Sequence, residues 1–229
     1  MQQIKAVLFD KDGTLFDFYA TWGVWAKTLL LDEAGGDEAL AARMGDAIGY
    51  NIGTGKFAPD SMVIFDTPPD IAAALLPFFD GETVETLTNR LNTAAAQVPM
   101  VEAAPLIPLL LELEARGLKL GVATNDGEAP ARAHLEASGI SGMFDFIVGS
   151  DSGFGGKPEA GMMKAFADHI GMAGEKIAMV GDSVHDLVAG KAAGMVAVAV
   201  LTGVAGHDEL APHADVVLPD IGHLPAWLG

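Results

Sequence analysis

Asp10-Lys11-Asp12-Gly13-Thr14-Leu15 directly follows an apolar-rich run, residues 4–9, near the start of the chain. A short apolar run that stops at a glycine-containing turn is typical of a buried parallel strand. Open α/β sheets bind ligands at the carboxyl ends of their strands. We therefore expect Asp10 and Asp12 at a ligand site, where Gly13 lets the backbone turn closely. Because two close carboxylates raise the pKa of one of them, the spacing indicates either a shared proton or a bound cation.

Composition limits the class of protein. A chain of 229 residues, half of them hydrophobic and with a positive mean hydropathy, suffices for one large domain or for a core with a smaller insert. The absence of cysteine excludes disulfides and thiol catalysis. The net charge of −18 argues against nucleic acid or an anionic membrane as partner. Since no signal peptide or membrane-spanning run is indicated, we expect a cytoplasmic monomer or homodimer.

The apolar pattern changes along the chain. Between residues 18 and 98 apolar residues recur at helical spacing, and no strand is indicated. Thr21 is expected to cap the first helix, whose stripe includes Trp22, Trp25 and Leu29. A second stripe runs over residues 84–98, and shorter helices are expected over 40–48 and 70–76. We interpret these stripes as packing faces.

After residue 98 predicted helices alternate with predicted strands. The strands are expected at residues 118–123, 146–148, 177–180, 196–201 and 216–218. This alternation predicts a parallel sheet. The chain is thus expected to form an α/β domain with a helical insertion after the first strand.

Polar residues follow two of the later strands. Thr124 and Asn125 stand where a helix begins, so they could cradle an anion, although a threonine there is also an ordinary helix cap. Lys157 lies between a glycine pair and Pro158. A lysine is a compact point charge suited to phosphate or carboxylates, and the alternative is a solvated loop residue.

A second carboxylate pair follows the strand expected at 177–180. Asp182 lies at the strand edge, and Asp186, four residues later, would share its helical face. Such oxygen-rich sites suit Mg²⁺, and a capping aspartate with a surface partner is the alternative. His185 is expected to face away from both carboxylates and to be structural.

In the order carboxylate pair, threonine, lysine, carboxylate pair, these signals resemble the haloacid dehalogenase superfamily of phosphatases over essentially the whole chain. The resemblance implies an α/β fold. Its core would be a Rossmann-like parallel sheet (residues 1–17 and 99–229), and an all-helical cap (18–98) would be inserted after the first motif. That motif is most similar to those of phosphoglycolate phosphatases. The implied substrate is a small phosphorylated metabolite, and the implied cofactor is Mg²⁺.

The resemblance also assigns roles. Asp10 matches the nucleophile that forms an aspartyl-phosphate, and Asp12 matches the general acid/base. Thr124 matches the hydroxyl that contacts phosphate, and Lys157 the catalytic cation. Gly13 and Asn125 belong to the implied substrate site. The implied metal ligands are Asp10, the backbone carbonyl of Asp12, Asp182 and, mainly through water, Asp186.

Asp12 separates the alternatives within the superfamily. Dehalogenases lack an acid at this position because they expel halide, and phosphonatases also replace it. A phosphatase is therefore expected, with a sugar phosphomutase of the β-phosphoglucomutase type as the alternative. Outside this family, a response-regulator receiver would need only about 120 residues and no helical insert. A catalytically inactive phosphate-binding protein would usually have lost a nucleophile or a metal ligand.

The cap region offers few cations. Lys56 alone among them lies in a glycine-rich stretch, residues 51–57, where backbone can approach a small ligand. We hypothesise that this loop closes over the core site and that Lys56 pairs with a substrate carboxylate. The alternative is a solvated lysine.

Overall fold

The computed structural model describes residues 4–229. The strands are Ala6–Phe9 (β1), Tyr50–Asn51 (β2), Lys56–Phe57 (β3), Lys119–Ala123 (β4), Phe146–Val148 (β5), Ile177–Gly181 (β6), Val196–Val200 (β7) and Val216–Leu218 (β8). The helices are Phe18–Glu33 (α1), Glu38–Ala47 (α2), Met62–Phe65 (α3), Pro68–Leu75 (α4), Val84–Ala95 (α5), Leu106–Ala115 (α6), Glu128–Ala137 (α7), Gly161–Ile170 (α8), Val184–Ala192 (α9), His207–Leu210 (α10) and Leu224–Leu228 (α11). Across residues 4–229, none of these helices combines the length and apolarity needed to cross a membrane.

Six strands form one parallel sheet in the order β5-β4-β1-β6-β7-β8. The first strand lies inside the sheet, with Ala6 paired to Lys119 on one side and to Ile177 on the other. The five later strands are confirmed to within one residue at each end, and the first begins at Ala6, two residues after the start of the apolar run. The α/β class with a parallel sheet is confirmed as well.

Both faces of the sheet are covered. The side chains of β1 alternate between two cores: Val7 and Phe9 pack into one, and Ala6 and Leu8 into the other. All four residues are fully buried. A strand buried on both faces is continuously apolar, which explains the run that precedes Asp10.

Residues 18–98, called here the helical segment, enclose a hydrophobic core of their own. Leu30, Met44 and Leu87 are among its fully buried members, and the hydroxyl of Tyr50 donates to the Gly23 carbonyl at 2.6 Å. The segment also contains an antiparallel hairpin, β2–β3, which the helical spacing did not predict. Two-residue strands are too short to show the alternation of buried and exposed side chains that marks a strand. The expectation of an all-helical segment therefore missed this hairpin.

The helical segment joins the sheet at two adjacent points. Asp17, not Thr21, caps α1, because its side chain accepts from the Ala20 N–H at 2.8 Å. Thr21 is buried, and its hydroxyl accepts from the Val101 N–H at 3.2 Å. The Asp17 N–H in turn donates to the Val101 carbonyl at 2.8 Å. The chain therefore leaves and re-enters the sheet region at one hydrogen-bonded junction.

Candidate active site

Three neighbouring strands end in the polar residues singled out from the sequence. Asp10 follows β1, Thr124 follows β4 and Asp182 follows β6. Because β4, β1 and β6 are adjacent in the sheet, their carboxyl ends bring these three side chains to one edge.

Asp10, Asp182 and Asp186 form a buried acid cluster. One carboxylate oxygen from each lies within 4.8 Å of the others. Asp186 is fixed by a capping box at the start of α9, where its Oδ2 accepts from the N–H and the hydroxyl of Ser183, at 3.0 and 2.7 Å. Its Oδ1 is buried and faces the ammonium of Lys157 at 2.6 Å. Three clustered carboxylates are hard oxygen donors that suit a divalent cation such as Mg²⁺.

Two glycines leave space for Asp182. Gly13 has a φ of 89°, which favours glycine, and a Cβ there would run into the Asp182 carboxylate. A Cβ on Gly203 would do the same. The hydroxyl of Thr14 donates to Asp182 at 3.3 Å. Gly13 therefore shapes the site through its conformation, and Gly203, which sequence reasoning missed, serves the same carboxylate.

Lys157 lies among these acids. Its Nζ is 2.5 Å from Asp10 Oδ1 and 2.6 Å from Asp186 Oδ1, and it donates to the Ala123 carbonyl at 3.1 Å. Burial alone would lower the pKa of this lysine, but the two carboxylates outweigh burial and raise it. The lysine is therefore a permanent positive charge beside Asp10.

The acid cluster remains short of positive charge. Burial raises the pKa of Asp10 to about 7; Lys157 opposes this shift, whereas Asp186 and Asp12 add to it. The pKa of Asp182 is likewise raised well above its ordinary value, by burial and by the charges of Asp10 and Asp186. One lysine does not offset three buried carboxylates, so protons and a metal ion would compete for these oxygens.

Asp12 has a different environment from Asp10. Its Oδ2 lies 2.7 Å from Lys11 Nζ, and its Oδ1 accepts from the indole N–H of Trp22 at 2.8 Å. Its side chain is outside the acid cluster. The two carboxylates of the first motif are thus separated, one at the acid cluster and one against a residue of α1.

Lys11 belongs to a network that sequence reasoning missed. It is fully buried, and its Nζ lies 3.1 Å from both Asp126 Oδ2 and His134 Nδ1. Burial would lower the pKa of Lys11, but Asp12 and Asp126 raise it. Burial and Lys11 lower the pKa of His134, so its imidazole is neutral, accepts at Nδ1 and donates from Nε2 to the Ala95 carbonyl at 2.8 Å. The sequence signal that could have revealed this network is the position of Lys11 between Asp10 and Asp12 in the first motif.

Thr124 and Asn125 differ in their freedom to contact a ligand. Thr124 is buried, its oxygen accepts from the Asp126 N–H at 3.1 Å, and its hydroxyl hydrogen remains available. The Asn125 amide donates to the carbonyls of Phe65 and Lys157, at 2.7 and 3.0 Å, and its oxygen accepts from the Lys157 N–H. With every group used, Asn125 holds the lysine loop against the helical segment and has no donor left for a substrate.

A cavity of about 140 Å³ extends from the acid cluster into the helical segment. Trp22, Trp25 and Leu29, expected only as packing residues, line it. His185, expected to be structural, also lines this cavity, and its ring packs on Phe65 with centroids 5.3 Å apart. A stripe of aromatic residues on a helix does not reveal whether it faces a core or a ligand, so these residues could not be assigned to the site from the sequence.

Lys56 is not brought to the cavity. It lies in a separate hollow lined by residues of the β2–β3 hairpin and its surroundings. Alternation along β3 buries Phe57 and leaves Lys56 exposed. The hypothesis that this lysine pairs with a substrate carboxylate is therefore not supported by its position.

Comparisons with known proteins agree with this geometry. A family model described as haloacid dehalogenase-like hydrolase matches residues 4–194. The chain is 34% identical over 230 residues to the phosphoglycolate phosphatase of Rhodospirillum rubrum, covering 98% of this chain and 91% of the relative. It is 30% identical over 227 residues to that of Neisseria meningitidis, covering 98% and 92%.

Solved structures show the same fold. A predicted phosphoglycolate phosphatase from Haemophilus somnus superposes with a TM-score of 0.77 at 18% identity, covering 100% of both chains. A HAD phosphatase from Thermococcus onnurineus superposes with a TM-score of 0.69 at 25% identity, covering 99% of this chain and 98% of the other.

Proposed function

The chain belongs to the haloacid dehalogenase-like hydrolase family and is a phosphatase, and we propose that it hydrolyses a small phosphate monoester through a phosphorylated Asp10, with Mg²⁺ as cofactor. The named relatives make phosphoglycolate the reference substrate for a first assay. Residues 18–98 would form the cap, and residues 1–17 and 99–229 the catalytic core.

The acid cluster fits a divalent metal. Asp10, Asp182 and Asp186 would hold it, and the family resemblance adds the backbone carbonyl of Asp12. The charge balance supports this assignment, because the ammonium of Lys157 alone does not offset three buried carboxylates. When bound, Mg²⁺ would neutralise charge on the carboxylates and the phosphoryl oxygens.

The first displacement would use both motif aspartates. An oxygen of Asp10 attacks phosphorus while the bond from phosphorus to the ester oxygen breaks, and Asp12 gives its proton to that oxygen. The products of this step are the free alcohol and a phosphorylated Asp10.

The second displacement would regenerate the enzyme. Asp12, now a carboxylate, takes a proton from water as the water oxygen attacks phosphorus and the bond to Asp10 breaks. Free phosphate leaves, Asp10 is a carboxylate again, and Asp12 carries its proton for the next cycle.

Lys157 and Thr124 would bind the phosphoryl group. A dianionic ester repels the Asp10 carboxylate, and the ammonium of Lys157, 2.5 Å from Asp10, offsets this repulsion. The free hydroxyl hydrogen of Thr124 would donate to a phosphoryl oxygen. Both groups are buried, so they are oriented before substrate arrives.

The observation that carries this proposal is the separation of Asp10 from Asp12. A carboxylate nucleophile must be ionised, and the ammonium of Lys157 beside Asp10 favours its ionised form. A general acid must reach the leaving group without binding the metal through its side chain. Asp12 lines the cavity but is held by Lys11 and Trp22 instead.

Phosphate release from p-nitrophenyl phosphate tests the proposal. We expect activity with Mg²⁺, loss of activity with chelator, and a phosphoryl adduct on the Asp10 peptide after rapid quenching. Thermal unfolding with and without Mg²⁺ gives a readout independent of turnover, and Mg²⁺ should raise the Tm. Metal-independent activity, or an adduct on another residue, would contradict the mechanism.

A sugar phosphomutase is the alternative within the family. A mutase must bind a polyhydroxylated ring, and burying its hydroxyls requires hydrogen-bonding partners. The wall of the cavity that the helical segment supplies is aromatic or aliphatic apart from Asp66 and Asn92. This composition favours a hydrolase over a sugar phosphomutase.

A further inference from the structure

The wall opposite the acid cluster comes from the helical segment and is largely apolar. Trp25, Leu29 and Ile71 line it and are only half-buried. Apolar surface left accessible inside a concave site is typical of ligand pockets. The wall is therefore a candidate for the surface that contacts the alcohol portion of the substrate.

No cation of the helical segment, which is described throughout, reaches this wall. Arg90 is paired with Glu82 at 2.5 Å, and Arg43 lies over an aromatic ring at 5.5 Å from its centroid. Lys27 and Lys56 are exposed and are not among the lining residues. Within residues 4–229, Lys157 is the one lysine or arginine that lines the cavity, and it is bound to Asp10 and Asp186.

A carboxylate on the alcohol portion would therefore meet no lysine or arginine on this wall, where Asn92 is the one amide; His185, whose Nδ1 is buried without a hydrogen-bond partner, lines the cavity from α9. Asp66, on the same wall, would repel it further. Burying an unpaired charge among apolar side chains is strongly unfavourable. A phosphate ester of an uncharged alcohol meets no such penalty, and its apolar atoms gain by leaving water.

We propose that this wall selects phosphate monoesters whose alcohol portion is uncharged and apolar, rather than glycolate. The inference rests on the proposed function and names the class of substrate for that site. The cavity measures about 140 Å³. An apolar protein cavity of about 150 Å³ holds benzene, and the phosphoryl group must share this cavity at its acid-cluster end, so the alcohol portion is at most about one ring or a short alkyl chain.

Rates with a series of esters test the inference on the unmodified protein. We would measure phosphate release from methyl, butyl and benzyl phosphate and from phosphoglycolate, at saturating Mg²⁺. Benzyl phosphate is used because its leaving group is an alcohol, as in the other esters. We expect kcat/KM to rise about fourfold per added methylene until the cavity is filled. Benzyl phosphate should exceed phosphoglycolate by about tenfold or more.

Two substitutions on α1 give a matched pair. Leu29→Asn places an amide in the wall and should lower kcat/KM for benzyl phosphate about tenfold, with methyl phosphate within about twofold of wild type. Val24→Asn makes a similar change at a position that is 75% exposed, and it should leave both rates unchanged. Thermal unfolding of both variants controls for folding.

The outcomes separate the two proposals. Preferential hydrolysis of phosphoglycolate overturns the inference and leaves the proposed function intact. Equal rates for methyl, butyl and benzyl phosphate also overturn it. No phosphate release from any ester, by folded protein with Mg²⁺, rejects the proposed function and the inference with it.

Discussion

One cavity has two walls built on different principles. The wall at the sheet edge is charged; Asp10, Thr124 and Asp182 follow strand ends, where backbone pairing fixes their positions, and Lys157 and Asp186 come from the following loop and helix. The wall from the helical segment is apolar, and its residues come together from several helices through packing. In the proposed mechanism the first wall supplies the reacting groups, and in the inference drawn above the second selects the substrate. The comparison teaches that the two proposed roles rest on different signals in one chain.

The largest effect is expected at the charged wall. Asp10→Asn keeps the shape of the side chain and removes its nucleophilic charge. Loss of a nucleophile typically costs a factor of about 10⁴ or more, so phosphate release should nearly vanish for every ester. Retention of more than about one hundredth of the wild-type rate would reject covalent catalysis by Asp10.

A smaller loss is expected for Asp12→Ala. General acid/base groups contribute about 10²–10⁴-fold, and the loss should be less for p-nitrophenyl phosphate, whose leaving group needs little protonation. Mg²⁺ binding, measured by its effect on thermal unfolding, should change little because the Asp12 side chain lies outside the acid cluster. Equal losses for activated and unactivated esters, with the first displacement limiting, would argue against the acid role.

Metal affinity should depend on pH at the charged wall. In the metal-free protein the pKa of Asp10 is raised to about 7, so this carboxyl is protonated below that pH and ionised above it. Mg²⁺ must displace the proton, and its affinity should fall about tenfold for each unit below pH 7. Titration of the Mg²⁺-induced rise in Tm between pH 6 and 8 measures this dependence. A pH-independent affinity would show that Asp10 is not a ligand.

Trp22 tests whether the two walls act independently. This residue belongs to the helical segment, yet its indole donates to Asp12 at 2.8 Å. Trp22→Phe keeps the ring and removes the donor, so kcat should fall about three- to tenfold for unactivated esters, with less effect on p-nitrophenyl phosphate. An unchanged kcat for both substrates would mean that the apolar wall has no part in positioning the acid.

The smallest effect is expected outside both walls. Lys56→Met should leave kcat/KM within about twofold for phosphoglycolate and for benzyl phosphate, because Lys56 lies in another hollow. A selective loss with phosphoglycolate would restore the hypothesis that the lysine pairs with a substrate carboxylate. The β2–β3 hairpin would then be a third surface that contacts substrate, beside the two walls.

Sequence reasoning could single out the residues of the charged wall because each of their signals is local. The apolar run before Asp10 and the spacing of Asp182 and Asp186 each lie within a few residues of one strand end. A parallel sheet then brings those ends together without further information. The roles of these residues remain predictions until they are measured.

The apolar wall could not be predicted for the converse reason. Its lining residues come from separate helices, and tertiary packing rather than a local pattern brings them together. The contact between Lys11 and His134, outside this wall, likewise joins residues 123 positions apart. Trp25 and Leu29 follow the same helical period as residues that pack a core. The predicted N-cap of α1 was also wrong. Asp17 and Thr21 are both favourable capping residues, and tertiary contacts decide between them.

The position of β1 inside the sheet has a consequence for biosynthesis. The strand that carries Asp10 is made first, but its neighbours contribute Lys119 and Ile177, which are translated much later. Contacts between distant parts of a chain form slowly. The fully buried members of the helical segment's core all lie within residues 18–98 and do not have to wait for them. A nascent chain can therefore bring the apolar wall together before Asp10 meets Asp186, and any fragment ending before residue 186 lacks the complete acid cluster.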